Sequence, residues 1–235
     1  MNKIALWSLL ALLIVACGKD PEKTMVVTGN IAGLKKGTLY LQKIQDSSLV
    51  ALDSLEISGD GKFSFQTTLD SPELFYLYLK KEDKNDYNDR ISFFGEAGTI
   101  TINTQWNAFE GKAKISGSKT QEKLEEYRQV MSKFNTRNLE LVQASSRPEY
   151  REDSIAMDSL NQLNEKNILR GYLYALNFAL NNKDSEVAPF IALTEVPDAN
   201  KKYLDSIYNA LTPEVANSKY GRALSDYLQS RQDEE

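Results

Sequence analysis

Lys114-Ile115-Ser116-Gly117-Ser118-Lys119-Thr120-Gln121 divides the chain in two. Up to it, glycine punctuates the sequence: of twelve Gly, ten lie between Gly18 and Gly117, and only Gly171 and Gly221 follow. Glycine serves tight turns and is costly inside helices, so strands are expected before this stretch and helices after it. Ser118-x-x-Gln121 has the form of a capping box, the expected start of the first long helix.

Working back, short runs alternate apolar and polar residues between turn signals. Lys62-Phe63-Ser64-Phe65-Gln66 puts both Phe on one face. Strands are also expected over Met25–Ile31, Gly37–Ile44, Val50–Ile57, Leu74–Leu79, Arg90–Phe94, Thr99–Asn103 and Lys112–Ser116. The aromatic-dense Leu74–Leu79 run reads as buried on both faces. Seven or eight such strands imply an antiparallel β-sandwich or barrel. Working forward, Leu124, Tyr127, Met131 and Phe134 form a helical apolar stripe. Pro148 opens a second helical stretch carrying Ile155, Leu160, Leu163, Leu169, Leu173, Leu176 and Leu180. Short helices follow over Glu186–Thr194, from Val196-Pro197-Asp198, from Thr212-Pro213, and after Asn217-Ser218. The expected class is α+β, with a sandwich or barrel over residues 25–117 and an all-helical region over 118–235.

The counts exclude much chemistry. The 235 residues contain no His and one Cys. That removes imidazole catalysis, CxxC redox chemistry and His- or Cys-built zinc sites. A net charge of −5 argues against nucleic acid as a partner. No phosphate-binding GxxxxGK[ST] loop occurs, and no cofactor or metal is expected. Asp83 to Asp89 spaces oxygen ligands, but Asn88 and Phe94 stand where an EF-hand needs Gly and Glu. A solvated loop is the expected role.

The start of the chain reads as an address. After Lys3, Ile4 to Ala16 is apolar apart from Ser8. As a helix it spans about 20 Å, short of the roughly 30 Å bilayer core, which fits a signal peptide over residues 1–16. Leu13-Ile14-Val15-Ala16-Cys17 resembles a lipobox, so the single Cys is the expected lipidation site. Two or more acyl chains there give stable anchoring, and residues 17–24 form the tether. Cleavage leaves 219 residues, Cys17 to Glu235.

Nearly the whole mature chain resembles the N-terminal domain of unknown function, with its helical extension, of Bacteroidota lipoproteins, usually found ahead of thioredoxin-like (TlpA/ResA-type, AhpC/TSA) modules. The motifs are Gly29-Asn30-Ile31-Ala32-Gly33-Leu34, Asp53-Ser54 before Gly61 to Phe65, Pro72, Glu96 to Ile102, Gly117-Ser118, and Asn217 to Gly221. The resemblance implies an outer-membrane envelope lipoprotein facing periplasm or cell surface. Its usual thiol-disulfide activity does not carry over, because no CxxC is present and the chain ends where that module follows. The expected function is a non-catalytic, lipid-anchored binding or accessory module with a protein, peptide or glycan ligand. The alternatives are an accessory partner of a separate thioredoxin-like oxidoreductase and an enzyme using carboxylates or Tyr. Candidate ligand-groove residues are Phe75, Tyr76, Tyr78, Phe93, Phe94 and Trp106, and a second set is Tyr127, Tyr172, Tyr174, Tyr203, Tyr208, Tyr220 and Tyr227. The default role for both sets is packing.

Overall fold

A computed structural model describes residues 21–81, 89–151 and 153–231. Cys17, the signal peptide 1–16 and most of the Asp83–Asp89 loop lie outside the described residues. Among the described residues eight strands come first: β1 Thr24–Ala32, β2 Lys36–Gln45, β3 Ser48–Ser58, β4 Lys62–Thr68, β5 Glu73–Lys81, β6 Asp89–Gly95, β7 Gly98–Gln105 and β8 Lys114–Ser116. Seven helices follow: α1 Lys119–Ser145, α2 Pro148–Arg151, α3 Ser154–Asn181, α4 Val187–Thr194, α5 Lys201–Ala210, α6 Pro213–Ala216 and α7 Lys219–Ser230.

The strands form two separate four-stranded sheets, ordered β4-β1-β7-β8 and β3-β2-β5-β6, so the fold is a sandwich and not a barrel. Val27, Ile100, Ile102 and Phe65 of one sheet face Leu39, Leu41, Phe75, Leu77 and Phe93 of the other, all essentially inaccessible. Period-2 alternation selects these residues, with Ile100 and Ile102 buried, Thr99 and Asn103 exposed and Thr101 half-buried. One pairing departs from the antiparallel expectation. β1 and β7 run parallel, Met25 opposite Gly98 through Ala32 opposite Gln105. Strands 66 residues apart meet there after the chain has crossed between sheets, and alternation alone carries no direction.

β5 corrects the expectation of burial on both faces. Phe75, Leu77 and Leu79 are buried, while Leu74, Tyr76 and Tyr78 are half-buried on the far side. β3 is an edge strand, mostly exposed, with a bulge: Asp53 pairs with Leu41 and Ala51 with Gln42, so Leu52 is extra.

β6 belongs to two cores at once. Neighbouring side chains on a strand point to opposite faces. Phe93 enters the sandwich core and stacks on Phe75, ring centroids 6.0 Å apart. Phe94 enters the helical core, edge-on to Phe190 at 5.2 Å and to Tyr220 at 5.8 Å. The outer backbone edge of β6 is met by α1: the Phe94 N–H donates to Gln121 Oε1 at 2.9 Å, where Gln121 is only 2% exposed. Gln121 thus completes half of the capping box. Its N–H donates to Ser118 Oγ (3.0 Å), but its side chain serves β6 and Glu125 instead of turning back to Ser118. Glu96 closes the rest of the helix end, accepting from Lys119 N–H (2.8 Å), Thr120 N–H (3.2 Å) and Thr120 Oγ1 (2.7 Å). A carboxylate at a helix N-terminus meets both the orphan donors and the dipole. Gly117 makes the turn between the two halves at φ +92°, where a Cβ would lie 2.2 Å from the Thr99 carbonyl oxygen.

In the helical half the apolar count misleads on α3. Ile155, Leu163, Leu169 and Leu173 are between 45% and 79% exposed. The face that meets α1 is Asn167, Gly171, Ala175 and Phe178, with Asn167 Nδ2 donating to Phe134 O at 2.9 Å. The stretch from Pro148 is also divided, because Asp153 caps a new helix by accepting from Ile155 and Ala156 N–H. Val196-Pro197-Asp198 opens no helix. α5 starts at Lys201, capped by Asn200, which accepts from Lys202 N–H. Thr212 caps α6 as expected, and Ser218, expected only as a break before the last helix, caps α7.

Two outcomes test this architecture. Phe94→Ala should cost about 3–5 kcal/mol of stability in urea titration, the usual scale for a buried aromatic. Glu186, at 7% exposure before α4, carries a pH dependence. Burial, assisted by the Glu214 and Glu96 carboxylates, holds its carboxyl above the usual range, against a backbone hydrogen bond and Lys123. The fold therefore loses stability as pH rises through the carboxylate range, and bears no such cost below it. Glu186→Gln should raise the urea midpoint at pH 7 and lose that advantage at pH 4.

Candidate functional site

Inward alternation along β5 places Glu73 on the same side as Phe75 and Leu77, at the open end of the sandwich. Glu73 is 5% exposed. A buried carboxylate needs compensating charge. It receives two ammonium groups. Lys43 Nζ from β2 donates to Oε1 at 2.9 Å, and Lys219 Nζ from the first residue of α7 donates to Oε2. Lys219 Nζ also donates to Ile44 O at 3.1 Å, and its N–H to Ser71 Oγ at 3.1 Å. The Leu74 N–H donates to the Tyr220 hydroxyl at 3.1 Å. Four hydrogen bonds, one of them the Lys219–Glu73 ion pair, therefore seat α7 against β2, β5 and Ser71, and the Lys43–Glu73 pair ties the two strands beneath it. α6 supports α7 from behind: a Cβ on Gly221 would lie 2.1 Å from Val215 O, so glycine sets that approach.

Around this knot lies a polar cleft of about 570 Å³. That volume is within the range of small-molecule sites, about 300–1,000 Å³. Lys23, Lys43, Lys219 and Arg222 line it together with Asp46, Asp70, Ser71 and Glu73. Lys23 meets Asp70 at 3.2 Å, but both are well exposed, so that pair adds little. The cleft can hold a polar or charged group by hydrogen bonds and charge. Ser71 Oγ is already an acceptor for Lys219, and no base is bonded to it among the described residues.

A smaller cavity of about 200 Å³ lies in the helical half beside Tyr127, Phe134, Asn138, Asn167 and Glu195. Tyr127 donates to Glu195 Oε2 at 3.2 Å. Burial, then the Glu195 charge, push its phenol well above the usual range. Burial likewise pushes Tyr220 up to about 12, with Glu73 and Tyr76 adding to it. Both phenols stay protonated near neutrality, so neither is poised as a base.

The sequence-predicted residues scatter. Phe75, Phe93 and Phe94 are core. Tyr76 and Tyr78 flank the Arg90 guanidinium at 5.9 and 5.4 Å, and Trp106 carries Lys81 at 5.7 Å. The helical tyrosines divide: Tyr127 and Tyr172 line the cavity of about 200 Å³, with Tyr127 stacked on Tyr174, while Tyr220 packs on Phe94 and Tyr227 donates to Pro197 O. Asp53 Oδ1 accepts from the Ser54 N–H at 2.8 Å, tightening the backbone at the β3 bulge. Glu125 is a partner of Gln121, and Asp153 is a helix cap. Among the described residues no cluster of acids, His or Cys can hold a metal ion, and no helix is long and apolar enough to cross a membrane.

Sequence reading missed Glu73, Lys43 and Lys219 as a unit. One signal was available: Glu73 opens a strand whose next inward residues are Phe75, Leu77 and Leu79, so a charge stands on a core face. Its partners come from positions 30 and 146 residues away, which no local pattern connects.

No curated protein matches the chain. The sandwich and the first turns of α1, residues 25–124, match the family model described as a domain of unknown function (DUF4369).

Proposed function

We propose that the protein is a lipid-anchored, non-catalytic binding module of the cell envelope, with the cleft beside α7 as its ligand site. The observation that carries this is the Lys43–Glu73–Lys219 knot. It fixes two ammonium groups, 24% and 39% exposed, at the floor of an open polar cleft. Ammonium groups held in place bind charged or hydroxylated ligands without first losing side-chain freedom. The same groups sit beside no activated nucleophile among the described residues, which favours binding over turnover.

The anchor supports the envelope setting. The lipobox-like Leu13 to Cys17 follows a signal-type apolar run, and the motif order is similar to that of Bacteroidota lipoproteins with thioredoxin-like modules. Lipidation at Cys17 would keep the module at a membrane, periplasmic or surface-facing, with a protein, peptide or glycan as its ligand.

The two halves of the proposal are tested separately. Cys17→Ala is expected to abolish palmitate labelling in cells; labelling that persists rules out this Cys as the anchor. Purified protein is expected to give discrete hits on envelope peptide and glycan arrays that weaken several-fold in Arg222→Gln, in line with loss of one charged contact of about 1.5–3 kcal/mol at most. Blank arrays together with hydrolytic turnover would overturn the binding reading.

A further inference from the structure

We propose that the cleft takes a monoanionic phosphodiester, that of an anionic lipid headgroup, between Lys43, Lys219 and Arg222. This rests on the reading of the cleft as a ligand site and of Cys17 as the anchor, and puts a lipid headgroup in place of a peptide or glycan as the cleft's occupant. Three observations converge on it.

The first is unbalanced charge. Lys43 and Lys219 share the single Glu73 carboxylate, and Arg222 donates to a backbone carbonyl, that of Asn217. Over the whole lining, Lys23, Lys43, Lys219 and Arg222 face Asp46, Asp70 and Glu73. Four cations against three carboxylates leave room for one negative charge, which is what a phosphodiester carries. Arginine and lysine together suit phosphate, the first by its donor fork and the second as a point charge.

The second is the helix end. α7 has twelve residues, and its N-terminus carries the positive end of the dipole. Lys219, its first residue, adds a cation where one is disfavoured. Glu73 offsets part of this, and an incoming anion offsets the rest.

The third is position. Lys23 lines the cleft and lies six residues after Cys17. Six residues span at most about 20 Å even when fully extended. An acylated Cys17 therefore holds the cleft close to the headgroup layer, where the effective concentration of phosphodiester is high. The exposed Lys23 and Arg222 stand at the mouth, and the Glu73 knot forms the floor.

The test uses the acylated chain in nanodiscs of phosphatidylcholine, with and without phosphatidylglycerol, read by hydrogen exchange of the amides around Lys219 to Arg222. Exchange is expected to slow about five-fold or more with phosphatidylglycerol, as ligand binding lowers the open population. The slowing should fade with added salt and disappear in Arg222→Gln, which leaves both Glu73 pairs in place. Equal exchange in the two discs overturns the proposal. Slowing by inorganic phosphate in phosphatidylcholine discs, without an effect of phosphatidylglycerol, overturns the lipid source. Intact-mass measurement reports acylation of Cys17 independently. A missing anchor would then be told apart from a cleft that ignores phosphodiester, because added phosphatidylglycerol vesicles still test the latter.

Discussion

Two adjacent phenylalanines on one strand face opposite ways, and each is the centre of a different hydrophobic core. Phe93 is surrounded by the sandwich and Phe94 by helices. A strand at the edge of a sheet normally leaves one face and one row of backbone donors in water. On β6 Phe94 closes the face and Gln121 meets one donor of that row, the Phe94 amide. The helical half is therefore less an appendage than the cover the sheet requires. The Glu96 carboxylate fastens the same corner by occupying the amides that begin α1.

The two attachments between the halves differ in chemistry. The α1 corner is built of hydrogen bonds and aromatic packing: amide donors meet the Glu96 carboxylate and Gln121, and Phe94 packs edge-on against Phe190 and Tyr220. The α7 corner is charged and open. Lys43, Glu73 and Lys219 hold the helix in register, and because the ammonium groups remain partly exposed they keep residual reach toward solvent. Ion pairs whose ammonium groups stay partly in water are weak sources of stability. Their presence makes sense if the corner also handles a ligand.

Much of the architecture was legible in the sequence. Glycine spacing located the passage from strands to helices, and Ser118 and Thr212 announced helix starts that the structure realises. Three things were not legible, each for a definite reason. The parallel β1–β7 pair depends on how the chain crosses between sheets, while alternation reports only which face is buried. On α3 the leucine pattern points to a core face, although the contact with α1 is made by Asn167 and Gly171, small or hydrogen-bonding residues that let helices approach. The Glu73 knot joins three distant elements through charge, and a single acid between Ser71-Pro72 and an aromatic strand looks unremarkable in a chain with 33 acids.

The motif residues themselves take on a common meaning. Glu96, Gly117-Ser118 and the Asn217 to Gly221 stretch all lie where one half is fixed to the other. The family match ends at Leu124, a residue buried in the helical core together with Phe94. A boundary drawn from sequence at Gly117 thus separates two secondary-structure types that share one buried cluster, Phe94 on one side and Leu124 on the other. Cutting there would strip Phe94 of its cover and return an aromatic, hydrogen-bond-hungry strand edge to water. Anyone dissecting this protein by limited truncation should treat the left-handed turn at Gly117 as a joint inside one body, and look for its natural seams elsewhere.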